Sequence, residues 1–321
     1  MELVPPQGLS NMKRWRIAMR KKWLPVAAGF GLGAVMLLTS GFSAMAGTSG
    51  YDVYKTALKN TKAAESITSH VDMTVTDNGM EVLSGTAVIK MNHKLKTMSM
   101  AAAMKDGKKT HEVQAFRQDG KMIFKSSDQE EYRLMTQNAS KWQHKDGAET
   151  APNMPKAAEQ VVDALVGNIR DLATVENESD GSKQTELHLS GNQIPAVVNA
   201  LGSLVASKAG SGDWEHGSRK QAAQSPNPSS DLELNLPKLT DNIKIEHINF
   251  DAKINPDQIL EKQTAEINIA GTDDSGKSHI LAVQIHIDFT DYNQTTPDRV
   301  DLTGKRITEV QSDGPKRGWH H

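Results

Sequence analysis

The sequence predicts an α+β fold in which a curved antiparallel sheet, a half-barrel, wraps two or three amphipathic helices and is preceded by an N-terminal signal or anchor segment. Three observations lead there. A dense block of basic residues stands directly before a long uncharged apolar run. Most of the remaining chain alternates apolar and polar residues with a period of two, broken by Asn-Gly and Asp-Gly turns. Between these stretches lie segments whose apolar residues recur at helical spacing. Strands with alternating faces must cover one side against something, and the amphipathic helices are the available cover.

Residues 12–22, MKRWRIAMRKK, hold Lys13, Arg14, Arg16, Arg20, Lys21 and Lys22, a block that favours the cytoplasmic side of a membrane. Residues 23–46 carry no charge; their most apolar part runs from Leu24 to Leu38, and they end on Ala44, Met45 and Ala46. This suits a signal peptide cleaved after Ala46. The same stretch also exceeds the roughly 20 residues that span a bilayer, so a retained signal anchor stays open, and with it attachment to the membrane. Either way the expected location is the extracellular face of the cytoplasmic membrane or the medium. The expected organisation is a basic N-region with signal peptide or anchor over 1–46, one α+β domain over 47–310 with a flexible insertion at 208–230, and a polar tail over 311–321.

Composition narrows the function. With no cysteine, the chain has no disulfide framework, no thiolate metal ligand and no lipidated cysteine. Beyond residue 46 there are 31 Lys plus Arg against 38 Asp plus Glu, a formal charge of −7. Such a surface has no electrostatic drive toward nucleic acid or anionic lipid headgroups, and no nucleic acid is expected as a partner. Aromatic residues make up only 5% of the chain, so its core must be mostly aliphatic.

The helical spacing of Tyr54, Ala57, Leu58 and Thr61 predicts a first helix over 51–65. Val71, Met73 and Val75, then Gly85, Ala87, Ile89 and Met91, alternate on either side of Asn78-Gly79 and predict a hairpin. Met98, Met100, Ala102 and Met104 share one face of the next strand; Asp106-Gly107 and Asp119-Gly120 turn into two more, and Glu131 to Met135 adds a sixth. Pro155 opens a second helix, with Ala158, Val161, Val162, Leu165, Ile169 and Leu172 on one side. Strands over 173–178 and 183–190 follow, then a third helix bearing Ile194, Val197, Val198, Leu201, Leu204 and Val205. Residues 208–230 are rich in Gly, Ser and Pro and read as a linker. Strands over 243–254, 264–270, 279–289 and a final stretch within 299–310 complete the chain.

This element order, together with the closing pattern GTDDSGKSHILAVQIHIDFTDYNQTTPDRVDL from Gly271 to Leu302, resembles the LolA/LppX-like superfamily of envelope lipoprotein carriers and lipid-binding proteins, in particular its Gram-positive extracellular relatives. Gly276 in the turn, the long alternating strand and then Asp291-Tyr292-Asn293 with Thr295 carry the likeness, as do Tyr51, Val53 and Tyr54 after the export signal. The chain departs from many relatives in lacking a lipobox cysteine and in the length of the insertion. The resemblance implies a half-barrel whose concave apolar face, capped by helices, holds an acyl chain or another hydrophobic ligand.

Met98, Met100, Met104, Val197 and Leu201 are the expected cavity residues, because unbranched polarizable side chains adapt to flexible apolar ligands. The same methionines also fit a core filled beneath helices. His247 and His286 occupy similar strand contexts, but no H-x-x-x-H or H-E-x-x-H spacing occurs, so no metal or other cofactor is expected. Glu176, Glu178, Asp180 and Gly181 imitate a calcium loop without its closing glutamate and suit a hairpin turn better. There is no G-x-S-x-G elbow, and Asp273 with Asp274 suits a turn rather than acid–base work. The expected function is therefore non-enzymatic: an exported envelope protein binding a lipid or other hydrophobic ligand in a half-barrel cavity. The alternative is a membrane-anchored surface sensor or protein-interaction module with a filled core, its partner unspecified by the sequence.

Overall fold

The structure, a computed structural model, describes residues 49–107, 109–136, 170–196, 198–199 and 236–310. The expected export segment over 1–46, most of the two later expected helices, the expected insertion 208–230 and the tail 311–321 lie outside the described residues. Among those described, no helix is long and apolar enough to cross a membrane.

One α-helix, α1 (Gly50–Ala63), precedes six strands: β1 (Ser66–Asp77), β2 (Met80–Asn92), β3 (Thr97–Asp106), β4 (Lys109–Gln118), β5 (Lys121–Ser126) and β6 (Tyr132–Thr136). A second group holds β7 (Thr174–Asn177) and β8 (Lys183–Ser190), and a third β9 (Asp241–Ile254), β10 (Leu260–Thr272), β11 (Ser278–Thr290) and β12 (Ile307–Val310). Single 3-10 turns cover Arg170–Leu172 and Gly191–Gln193. All twelve strands form one open sheet in the order β12-β6-β5-β4-β3-β2-β1-β11-β10-β9-β8-β7.

Local chemistry sets these elements. Ser49 caps α1, its hydroxyl accepting from the Asp52 N–H at 3.3 Å and donating to the Asp52 carboxylate at 2.9 Å. The β1–β2 hairpin turns through Asn78 and Gly79 with φ of 49° and 82°, and the β4–β5 hairpin through Asp119 and Gly120 with φ of 51° and 71°. Only residues that tolerate the left-handed region can turn so tightly, which fixes the register of both hairpins.

The sheet has two differently covered faces. On the first, α1 packs over β7–β10: Tyr54 meets the Phe250 ring edge-on at 4.9 Å, and Tyr54 and Ala57 join Leu187, Leu189, Ala252, Ile254, Leu260 and Ile269 in the largest core. Ile194 and Val198, from the predicted third helix, pack into the same cluster. A second cluster, Met73, Val75, Leu83, Ile285 and Ile287, continues across the middle of this face.

A strap formed by residues 291–306 crosses the opposite face from β1 to β6. It is pinned by the Asn293 N–H to the Ser66 carbonyl at 2.8 Å, by Thr295 to the Thr68 hydroxyl at 2.8 Å, and by the Asp298 N–H to the Ser99 hydroxyl at 2.9 Å. Gln118 then exchanges two hydrogen bonds with the backbone of Val300, and Val300 and Leu302 cover Phe116, Ile123 and Leu134.

The final short strand expected within 299–310 is present at the end of that stretch. It covers Ile307–Val310, because upstream the backbone N–H groups of Val300 and Thr303 bond to the Gln118 and Asp301 side chains rather than to a neighbouring ladder. That strand also runs parallel to β6, the one parallel pair in the sheet.

Candidate functional site

The site predicted from sequence begins on β3. Met98, Met100 and Met104 all project from the face that carries α1, and Met104 packs beside Met73 and Leu83. Cross-strand register extends them into rows. One row runs Ile67, Met91, Met98, Arg117, Met122, Met135 across β1 to β6. The next runs Ser69, Ile89, Met100, Ala115, Phe124, Arg133, and two rows further along Met73, Gly85, Met104 and His111 stand together. Val197 and Leu201, the other two predicted cavity residues, lie outside the described residues.

Seven of the chain's 14 methionines therefore stand together in these rows on one face of β1–β6. None stands anywhere on β7–β11, where the same face is built from Leu, Ile, Val, Ala and Phe. The two halves also differ in cover. Beneath α1 the apolar side chains are buried and the void among Gly50, Tyr54, Leu187 and Phe250 measures only about 20 Å³. On the methionine half, Met91, Met98, Met100, Met104, Met122 and Met135 are all half-buried. Alternation along each strand was visible in the sequence, but Met91, Met122, Met135 and Arg117 join the site only through register.

Polar groups elsewhere serve other ends. His279, 5% exposed, is held at Nδ1 by both carboxylate oxygens of Asp77 (2.9 and 3.0 Å) and at Nε2 by Asp273 at 3.3 Å. The Asp273 carboxyl lies well below the usual carboxylate range because the Ser275 hydroxyl and the Lys277 N–H donate to it, with His279 adding to the effect. Asp273 thus shapes the β10–β11 turn, as its sequence position suggests. On the strap-bearing face, Glu186, His188 and Asp251 bring three donor atoms within 4.8 Å, a grouping across β8 and β9 that sequence spacing could not show. The His188 imidazole is pushed up, first by its hydrogen bond with Asn249 and then by Asp251 and Glu186, while burial raises Asp251.

The helix side holds its tyrosines neutral. Burial pushes Tyr51 and Tyr292 each up to about 12 and raises Tyr54 as well. Tyr54 contacts Gln263, and the Tyr292 hydroxyl donates to the Leu260 carbonyl. A group whose folded-state pKa is raised contributes stability below its unfolded value and loses it as pH rises through the folded value. The urea midpoint should therefore hold up to about pH 10 and fall steeply between there and pH 12, together with the appearance of phenolate absorbance. A midpoint flat through pH 12 would contradict this assignment.

No protein-family model matches the chain, and no curated protein matches it by sequence. Among solved structures, a LolA superfamily protein from Nitrosomonas europaea overlaps 80% of this chain and 97% of its own, at 8% identity and a TM-score of 0.22. A bifunctional dehydratase-cyclase domain of ambruticin biosynthesis overlaps 76% of this chain and 82% of its own at 11% identity, with a TM-score of 0.11. A hot dog fold protein from Alicyclobacillus acidocaldarius overlaps 75% and 86% at 9% identity, with a TM-score of 0.10. These superpositions are too poor to carry a function across.

Proposed function

We propose that the chain is a non-enzymatic exported protein of the cell envelope, whose sheet acts as a half-barrel and binds a lipid or other hydrophobic molecule against the methionine half of its helix-bearing face. One observation carries this reading. Seven methionines gather on one face of β1–β6, six of them half-buried, while the neighbouring half of the same face is filled with branched aliphatic residues. A core that only had to be filled would gain more from Leu, Ile and Val, whose rotamers are better defined; thioether side chains favour a surface that reshapes around flexible apolar ligands. The basic block before the uncharged run of residues 23–46 supports export and a location outside the cytoplasmic membrane.

Native mass spectrometry with lipid extraction tests this on the full chain purified from its own host. The expected result is a co-purifying acyl species whose occupancy falls at least about tenfold in a Met98→Glu/Met100→Glu variant, since each carboxylate would face apolar ligand without a partner. Circular dichroism must show that variant folded. A clean apo mass, with no uptake of added fluorescent fatty acids, would overturn the proposal in favour of an interaction module with a filled core.

A further inference from the structure

We infer that the ligand of the methionine face is an anionic amphiphile, its acyl chain lying across the methionine rows and its carboxylate or phosphate headgroup held by the Arg117 guanidinium. This rests on the hydrophobic-ligand reading above and adds the headgroup chemistry. Arg117 on β4 stands directly opposite Met98 on β3 and Met122 on β5, with Met91 and Met135 one strand further on either side. It is a cation set into a row of thioethers.

Its pairing and the charge around it bear on its role. On the strap-bearing side Lys90 meets Asp298 at 2.9 Å, and Arg299 of the strap meets Asp119 at 2.6 Å. Arg117 has no carboxylate partner among the described residues, although its side chain is exposed and free to take one. The charge of the surrounding face is also one-sided. The two rows that begin at Ile67 and Ser69 carry Arg117 and Arg133 across β1–β6 and no carboxylate. An anion placed near Arg117 is separated along the strands from the nearest ion pair of the methionine rows, His111 with Asp128 at 2.7 Å.

The dimensions suit a lipid. Arg117 lies in the row next to the β4–β5 turn, at the solvent-facing end of the strands, and the Met104–His111 row lies six residues further along β4. At about 3.4 Å per residue this gives about 20 Å of apolar face behind the guanidinium, room for a long acyl chain lying along the strands. The planar fork of an arginine matches a carboxylate or phosphate with two parallel hydrogen bonds.

The test compares three probes of equal chain length, palmitate, hexadecyl phosphate and hexadecanol, on the full chain and on its Arg117→Gln variant. The expected result is that the wild-type protein binds at least one of the two anions about tenfold or more tighter than the alcohol, and that Arg117→Gln abolishes this preference. Which anion is preferred distinguishes a carboxylate from a phosphate headgroup. Equal affinity of the wild-type protein for acid, phosphate and alcohol overturns the inference while leaving the hydrophobic-ligand reading standing, as does a preference that survives in Arg117→Gln. If none of the three binds the wild-type protein, both fall together.

Discussion

Replacing Gly50 with alanine lowers the stability of the fold by about 3 kcal/mol, against the direction that helix propensity alone would give. Gly50 is the first residue of α1, and its N–H donates to the Ala173 carbonyl at 3.2 Å. A Cβ built there would sit 2.9 Å from the Ala173 carbonyl carbon and closer still to the Thr174 carbonyl. All of those atoms are backbone at the edge of β7, so no side chain can rotate out of the way. The helix must move instead, and its movement loosens the Tyr54–Phe250 contact and the hydrogen bond from the Leu260 N–H to the Thr61 hydroxyl. In an exposed helix interior, alanine is favoured over glycine by about 1 kcal/mol. The sign of the change in urea midpoint is therefore decisive: a stabilised Gly50→Ala would show that α1 is not clamped against β7.

The second large effect is at His279, where alanine should cost about 3 kcal/mol. Asp77, at the end of β1, has a side chain only 10% exposed and relies on the His279 ring for hydrogen bonds to both its oxygens. Removing the ring leaves that carboxylate buried without this partner, and also releases the link to Asp273 in the β10–β11 turn. A double-mutant cycle separates the two losses. Asp77→Asn should cost much less in the His279→Ala background than in the wild-type protein, with a coupling of about 1 kcal/mol or more. Additive losses would show that His279 acts through its volume alone.

How much of this was legible in the sequence depends on where each interaction is made. The first helix, the six-strand run, its turns and the boundaries of β8 follow from local periodicity and from residues that tolerate positive φ, and the structure places them as expected. The strap did not show, because its backbone groups are satisfied by Ser66, Ser99 and Gln118 rather than by a neighbouring strand. Alternation has nothing to report there. The motif Asp291-Tyr292-Asn293 with Thr295, which carried the family resemblance, proves to be the strap's fastening. Asn293 and Thr295 hold Glu65, Ser66 and Thr68 while the Tyr292 hydroxyl reaches Leu260. Its role is architectural, and it identifies no ligand. The methionine rows were half visible: each strand showed its own face, but only register brought Met91, Met122 and Met135 into line with Met98 around Arg117.

The order of the strands also bears on how the chain reaches this state. Neighbouring strands in the sheet are consecutive in sequence everywhere except at two ladders, β1 with β11 and β6 with β12. The first joins Thr68 to Thr290, and the second Tyr132 to Ile307. Local hairpins close early, whereas pairings between distant segments must first overcome the entropy of closing a long loop. The sheet thus consists of two leaves of sequence-local ladders, joined by the β1–β11 seam through its middle and by the β6–β12 pair at its edge.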